Sequence, residues 1–271
     1  MIDREQLHRD GYALLRGAIP GDWLDELRDV FDAGVTPSEL WPVPRGPGWR
    51  HSWLDLDPRI QAVCRLPALL QVVGALIGSS YFIAQVEGRE PLPGGGQQGL
   101  HRDLSAKRPG DTVNAIAFFD DFGVDNGATR FIPGTHRPAP GETTVGPGEE
   151  QRAQYLSGSA GDIFVFDADL LHAGSLNRGG GRRRSILIGY FDAQLHAAHL
   201  QTAGLRGVRM DTSERFLPTV VGRAIRAARG DPRQACRHDP RPSSNCRNQS
   251  LTTQSITRWM RSTPLRLSTL W

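Results

Sequence analysis

The stretch Gly99-Leu100-His101-Arg102-Asp103 places the strongest constraint on the fold, because its side chains need a partner much later in the chain. His101 and Asp103 are two residues apart, so on an extended strand both side chains leave the same face. His172 follows the run 161–167, which is typical of a strand that enters a turn. Two imidazoles and one carboxylate form the ligand set that holds Fe(II) in non-haem oxygenases. The sequence therefore predicts that His101, Asp103 and His172 meet at a metal centre.

An arginine-rich segment after His172 makes this pattern more specific. Three glycines at 179–181 precede Arg182, Arg183 and Arg184. A His-x-Asp motif is common by chance, and a single histidine is more often structural than a ligand. An arginine on the strand after the last ligand would supply the bidentate partner that the distal carboxylate of a 2-oxo acid needs. These features in this order are far more specific than any one of them.

Short apolar segments separated by turn residues indicate the fold class. The segments typical of strands are 81–86, 112–120, 128–132, 161–167 and 186–191. An Asp-Asn-Gly turn at 125–127 joins two of them. Amphipathic helices are expected between residues 1 and 35 and over 57–78. We therefore predict a β-sandwich or jelly roll with a helical N-terminal layer.

The segment 36–57 contains four prolines and three tryptophans, and it is predicted to be a loop. Trp41, Trp49 and Trp53 either fill the core beneath this loop or form an aromatic lid over a substrate. The sequence leaves both interpretations open.

Length and composition limit the class of protein. A chain of 271 residues with 38% hydrophobic residues is long enough for one large globular domain. It has no basic-then-apolar N-terminal signal and no run of eighteen apolar residues, so neither secretion nor a membrane span is expected. Three cysteines without a regular spacing favour reduced thiols. We expect a cytoplasmic protein, either a monomer or a homodimer.

Charge divides the chain into two parts. Residues 205–271 carry 13 arginines and 4 acidic residues, a net charge of +9, whereas the whole chain carries +3 and residues 1–204 therefore −6. We expect a core domain over 1–204 and a basic tail over 205–271, partly helical (213–229) or disordered (230–255). The core domain gains no support for nucleic-acid binding from this charge, and none is expected.

Together these residues resemble the phytanoyl-CoA dioxygenase family of Fe(II)/2-oxoglutarate oxygenases. The resemblance covers approximately residues 5–195. It rests on the His-Arg-Asp triplet, on the block from Asn126-Gly127 to Pro133-Gly134-Thr135-His136, and on His172 with Asn177 and Arg183. It implies a mainly β fold, a double-stranded β-helix (jelly roll, cupin-like) with flanking N-terminal helices.

The resemblance also implies a ligand set and a cosubstrate pocket. His101, Asp103 and His172 would hold iron, and Arg183 would bind 2-oxoglutarate, with Arg182 and Arg184 on the opposite side of the strand. Further candidates for the cosubstrate pocket are Gln98, which matches a glutamine of secondary-metabolite members, and Gln85 and Thr129. The chain departs from the family at Gly174, where many relatives have serine, and at Ile116, where tryptophan is common.

The implied activity is oxidation of a C–H bond of a small molecule with Fe(II), 2-oxoglutarate and O₂. The outcome would be hydroxylation, epimerisation, cyclisation or desaturation. Likeness to secondary-metabolite members favours a polycyclic natural product, as in antibiotic biosynthesis. One alternative is a cupin-like metal-binding protein or isomerase without 2-oxoglutarate chemistry. Another is a binding module whose arginine-rich tail contacts nucleic acid or an anionic partner.

Overall fold

The computed structural model describes residues 4–103, 105, 107–138 and 145–218. The helices are α1 Arg4–Asp10, α2 Leu24–Ala33, α3 Pro58–Val63, α4 Pro67–Ile77, α5 Glu149–Arg152 and α6 His196–Thr202. The strands are β1 Tyr12–Leu15, β2 Trp49–Ser52, β3 Tyr81–Pro91, β4 Thr112–Phe118, β5 Thr129–Phe131, β6 Gln154–Tyr155, β7 Ile163–Asp167, β8 His172–Gly174 and β9 Ser185–Asp192.

The strands form two antiparallel sheets. The larger sheet has the order β1-β7-β4-β9-β3-β2, and the smaller has the order β6-β5-β8. The smaller sheet faces the larger one, because Phe131 of β5 lies 4.8 Å, centroid to centroid, from Phe164 of β7. Strands that are neighbours in the sheet are distant in the chain, as in a jelly roll. The predicted mainly β fold with helices beside it is confirmed.

One face of the larger sheet carries the main hydrophobic core and the helical layer. Because side chains alternate along a strand, Val113, Ala115 and Ile188 all point to this face, where they are fully buried with residues of α4 such as Leu69 and Val73. Local hydrogen bonds explain where α3 begins. The Asp57 carboxylate accepts hydrogen bonds from the backbone N–H groups of residues 59 and 60, and proline follows at the first helical position.

The inner face of the larger sheet, between the two sheets, is divided into two halves. At one end Phe118, Phe122, Phe131, Phe164 and Phe166 form a buried aromatic cluster. At the other end the inward residues of β3 and β4 are polar: Gln85, Glu87, Arg89 and Asn114. The hydrophobic core therefore closes one end of the jelly roll, and the other end is lined with groups that can bind polar ligands.

The tryptophans of the segment 36–57 have different surroundings. Trp41 and Trp53 contact each other with ring centroids 4.7 Å apart, and a Cβ on Gly207 would touch both rings. Through these two rings the segment 36–57 packs against the C-terminal part of the described chain. Trp49 lies on β2 and faces the space between the sheets, beside Arg183. The lid interpretation therefore does not apply to Trp41 and Trp53.

The compact unit continues beyond residue 204, where the sequence suggested a boundary. Asp55 accepts hydrogen bonds from both the backbone and the guanidinium of Arg209, and the backbone of Phe216 pairs with that of Tyr81. Residues 213–218 are not helical. The described residues up to 218 therefore belong to the same compact unit as the two sheets. The expected helix beyond residue 218 and the expected disorder over 230–255 lie outside the described residues.

In the part of the chain that the structure describes, no helix is long and apolar enough to cross a membrane. Cys64 is a buried free thiol, and the other two cysteines lie outside the described residues.

The buried Asp55 predicts a measurable contribution to stability. Asp55→Asn removes the charge that Arg209 pairs with and leaves buried donors poorly satisfied, so the free energy of unfolding is expected to fall by about 2–4 kcal/mol. Urea denaturation followed by circular dichroism measures this change. The matched control is Asp25→Asn, since Asp25 is almost fully exposed in its pair with Arg28; a change within about 0.5 kcal/mol is expected there. Equal effects of the two substitutions would contradict the packing described for residues 205–218.

Candidate metal and cosubstrate site

Backbone pairing brings the two histidines of the motif together. The N–H of His101 donates to the carbonyl of His172 and the N–H of His172 to the carbonyl of His101, each with an N–O distance of 3.0 Å. The N–H of Asp103 donates to the carbonyl of Ala168 at 2.9 Å. On its other side β8 pairs with β5, where Phe131 lies opposite His172. His101 is therefore joined to β8 by an isolated antiparallel bridge, and Asp103 is tied to the turn that precedes β8.

Three donor groups converge at this place. His101 Nε2 lies 3.5 Å from Asp103 Oδ1, and His172 Nε2 lies 3.5 Å from Asp103 Oδ2. One ligand atom from each of the three residues lies within 4.8 Å of the other two. Within the described ranges, no other group of three or more histidine, cysteine and acidic side chains has such an arrangement. These atoms are close enough to bind one ion.

Hydrogen bonds orient each of the three side chains. The Nδ1 atoms of His101 and His172 each lie 2.9 Å from a backbone carbonyl, of Gly99 and Leu170 respectively. If each Nδ1 carries the proton and donates it there, each Nε2 presents a lone pair to the centre. Asn114 of β4 donates from its amide to Asp103 Oδ2 at 2.7 Å. The arrangement thus has the supporting hydrogen bonds that metal ligands in proteins require.

The charges at the centre favour an ionised Asp103 carboxylate and act in opposite directions on the two histidines. Desolvation would raise the pKa of Asp103, but the imidazoles of His172 and His101 and the Arg89 guanidinium outweigh it and lower this pKa to about 2. Burial is the main cause that lowers the pKa of His172. The pKa of His101 is raised: burial would lower it, and its contact with Asp103 more than offsets this effect.

Arg183 lies just before β9 and is only 3% exposed. Its guanidinium carbon lies 4.4 Å from the ring centroid of Phe122 and 5.6 Å from that of Trp49. Among the described residues nothing accepts a hydrogen bond from Arg183, and burial lowers its pKa to about 9. A buried cation without a counter-ion is unfavourable. This side chain is therefore poised to receive an anion.

The neighbouring arginines face the opposite side and are already paired. Arg182 binds Glu90 at 2.7 Å and Asp32 at 2.6 Å, and Arg184 binds Asp120 at 2.9 Å. Alternation along the extended chain explains the difference. Neither is therefore available for an anion between the sheets.

Two of the other predicted pocket residues lie beside β8. The Gln98 side-chain oxygen accepts a hydrogen bond from the Gly174 N–H at 2.9 Å, and Thr129 is buried on β5 directly opposite Gly174. The third, Gln85, lies on β3 of the larger sheet and donates to Glu87 at 3.1 Å. The structure therefore groups Gln98 and Thr129 around Gly174 and places Gln85 in a different cluster.

Close packing explains why glycine stands at position 174. A Cβ there would lie 2.6 Å from the carbonyl oxygen of Gly96 and 3.0 Å from both the Gln98 side-chain oxygen and the Trp49 ring. Any larger residue would displace backbone. The serine that many relatives carry has no room in this chain.

Sequence reasoning missed the inward-facing residues of β3 and β4. It ended the first of these strands at Val86, although Glu87 and Arg89 continue the same alternation to Pro91. Asn114 stands between buried apolar neighbours in a strand that was predicted correctly. The signal in both cases was a polar residue at every second position of a buried strand.

Three comparisons with known proteins agree with this geometry. The sequence model of the family described as phytanoyl-CoA dioxygenase (PhyH) matches residues 7–185. The chain is 33% identical over 218 residues to the iron/alpha-ketoglutarate-dependent dioxygenase ausU of Aspergillus calidoustus, covering 69% of each chain. It is 26% identical over 223 residues to the dioxygenase olcK of Penicillium canescens, covering 71% of this chain and 69% of that one.

A solved structure shows the same fold. The non-haem alpha-ketoglutarate-dependent epimerase SnoN from nogalamycin biosynthesis superimposes with a TM-score of 0.58 over 70% of this chain and 82% of its own, at 19% identity. That epimerase has also been solved in complex with Fe³⁺, alpha-ketoglutarate and nogalamycin RO. The likeness confirms a jelly roll of this type.

The crowding at Gly174 predicts a stability defect. Gly174→Ser is expected to lower the free energy of unfolding by about 1–3 kcal/mol, because the added atoms meet backbone that cannot move freely. Urea denaturation measures it. Gly123→Ser is the matched control, since a Cβ at Gly123 meets no atom within 4 Å. A serine tolerated equally well at both positions would show that the packing around Gln98 and Trp49 is looser than described.

Proposed function

Because the chain belongs to the phytanoyl-CoA dioxygenase family of Fe(II)- and 2-oxoglutarate-dependent dioxygenases, we propose that His101, Asp103 and His172 hold its iron and that Arg183 binds 2-oxoglutarate. The observation that carries the proposal is the convergence of two oriented imidazoles and one carboxylate within 4.8 Å. Membership in this family also removes the cupin-like alternative that lacks 2-oxoglutarate chemistry.

The three side chains fit an iron ion by their chemistry. Two neutral nitrogens and one carboxylate oxygen are the donors that Fe(II) takes in this class of enzyme, and they leave positions for other ligands. The carbonyls of Gly99 and Leu170 and the amide of Asn114 would hold the ligands in place as the ion binds.

The proposed cosubstrate pocket lies between the iron ligands and Arg183. The guanidinium would pair with the far carboxylate of 2-oxoglutarate through parallel hydrogen bonds. Phe122 and Trp49 lie beside the guanidinium, and by excluding water they would strengthen this pair. The side-chain oxygen of Gln98 is occupied by Gly174, which leaves its NH₂ group to donate to the same ligand. Thr129 would border the pocket from β5.

When bound, iron with 2-oxoglutarate and O₂ supplies the oxidation of a C–H bond, with 2-oxoglutarate consumed to succinate and CO₂. The protein's own contribution is to bind and orient the substrate and to keep water away. Hydroxylation of this kind needs no general base.

We propose a small natural product as the substrate, with hydroxylation, epimerisation, cyclisation or desaturation as the outcome. The epimerase of nogalamycin biosynthesis supports this class, since it has the same fold.

Loss of a metal ligand should abolish the cosubstrate signal. Anaerobic protein titrated with Fe(II) and then 2-oxoglutarate is expected to develop the weak visible charge-transfer band of a chelated keto acid. His172→Ala is expected to show no band, since one of three donors is lost. His196→Ala is the control, because His196 lies on α6 and does not belong to the cluster; the band should persist. Folded wild-type protein without a band would overturn the proposed function.

The role of Arg183 can be separated from that of the metal ligands. Arg183→Met is expected to bind Fe(II) normally and to raise the Kd of 2-oxoglutarate by roughly 10–100-fold, as for the loss of a charge-assisted bidentate contact. Anaerobic titration of the same band measures the Kd. Arg184→Met, which breaks only the pairs with Asp120 and Asp32, should leave that Kd within about twofold. Similar effects of the two substitutions would contradict the assignment.

A further inference from the structure

A row of polar side chains on β3 lines the inner face of the larger sheet and is unused by the proposed function. Gln85, Glu87 and Arg89 alternate along the strand and so point to the same inner face. Their backbones lie opposite Gly189, Leu187 and Ser185 of β9. On the other side of β3, His51 of β2 lies opposite Arg89. This row therefore forms a wall of the cleft.

Glu87 is the centre of this wall. It is almost completely buried, and its carboxylate accepts hydrogen bonds from His51 Nδ1, from Arg45 at 3.1 Å and from Gln85 at 3.1 Å. Burial would raise the pKa of Glu87, but the charges of Arg89 and Arg45 and the hydrogen bond from His51 lower it to about 2. Glu87 is thus a permanent anion whose acceptor positions are mostly occupied.

Arg89 is held by Glu87 but is not satisfied by it. Its Nε lies 3.5 Å from Glu87 Oε1, beyond a good hydrogen bond, and no described residue accepts a hydrogen bond from its guanidinium. The side chain is 17% exposed, so it reaches solvent in the cleft. Arg89 lies four residues along β3 from Gln85, which stands in register with Gly189 and, across β9, with Asn114, the residue that donates to Asp103.

The positive and negative charges around the cleft can be assigned to pairs. Arg45 is balanced by Glu87, and Asp103 would be balanced by the metal ion. Arg183 would receive the far carboxylate of 2-oxoglutarate. The nearby Glu90 is already shared by Arg50 and Arg182. With a divalent ion and a dianionic cosubstrate bound, Glu87 would be a single carboxylate shared by Arg45 and Arg89, so these three side chains would carry one positive charge in excess.

We propose that Arg89 binds a carboxylate of the molecule that the enzyme oxidises, so that the substrate is an organic acid. The planar guanidinium matches a carboxylate through two parallel hydrogen bonds, and Glu87 keeps it oriented. The inference rests on the proposed function, since the substrate must lie next to the iron and 2-oxoglutarate. A carboxylate at Arg89 could also come from the keto-acid end of 2-oxoglutarate, and the test separates these two sources.

The test uses the full chain loaded anaerobically with Fe(II) and saturating 2-oxoglutarate. Benzoate is the probe, and benzamide is its neutral analogue of the same shape. Two signals are followed: the shift of the visible band and the change in melting temperature. Benzoate is expected to perturb both at concentrations at least tenfold lower than benzamide. The variants are Arg89→Met, Arg89→Lys and, as a control at an exposed arginine, Arg178→Met.

The expected results distinguish the sources. Arg89→Met should bind 2-oxoglutarate within about twofold of wild type and lose the preference for benzoate, whereas Arg178→Met should keep both. Arg89→Lys preserves the charge beside Glu87 and should bind benzoate more weakly than wild type but better than benzamide. Unchanged 2-oxoglutarate binding also shows that a variant is folded at the site; if Arg89→Met does not fold, Arg89→Lys decides.

Two results would overturn the proposal. An Arg89 variant that keeps iron but loses tenfold or more in 2-oxoglutarate affinity would assign Arg89 to the cosubstrate. Equal effects of benzoate and benzamide on wild type, or a benzoate preference that survives in Arg89→Met, would show that Arg89 binds no anion. Failure of the proposed function looks different, because wild type would then show no band at all, and the melting temperature alone would report on Arg89.

Discussion

The site depends on two backbone hydrogen bonds between His101 and His172, each 3.0 Å long. They join segments that are far apart in the chain, so the loop-closure entropy must be offset by the packing of the sheets around them. Register is decisive here. A slip by one residue would turn His172 toward the opposite face of β8 and remove it from the centre. The pairing of β8 with β5 on its other side fixes that register, and the aromatic cluster behind β5 fixes β5.

The two ends of the inner face of the larger sheet differ in chemistry. One end is filled by phenylalanines, which make β4, β5 and β7 a rigid frame. The other end contains buried charges that a core could not accept unless they were paired. Glu87 meets this requirement because its carboxylate accepts hydrogen bonds from His51, Arg45 and Gln85. The network thereby permits polar groups to stand in rigid strands rather than in loops, where their positions would be less well defined.

Much of the fold and the central triad could be predicted from the sequence, because both depend on local pattern. His101 and Asp103 show their common face through a spacing of two, and the helices over 57–78 show it through apolar periodicity. The full length of β3 was not predictable in this way, since Gly88 reads as a turn. In the structure Gly88 is required because a Cβ there would lie within 3 Å of Ser52, Leu54 and Phe31. Contacts of this kind, like Asp55 with Arg209, depend on distant segments and leave no local signal.

Two arginines of the cleft affect the stability of the folded protein. Among the described residues neither the buried Arg183 nor the partly buried Arg89 has a hydrogen-bond acceptor for its guanidinium, so both raise the free energy of the folded protein. Any anion that binds only the folded state recovers this energy and stabilises the fold through linkage. Arg89 lies on β3 and Arg183 directly before β9, so the larger sheet limits how much of the binding energy would be spent on ordering the site. Local instability at the cleft would thus be the physical counterpart of the proposed affinity for anionic ligands there.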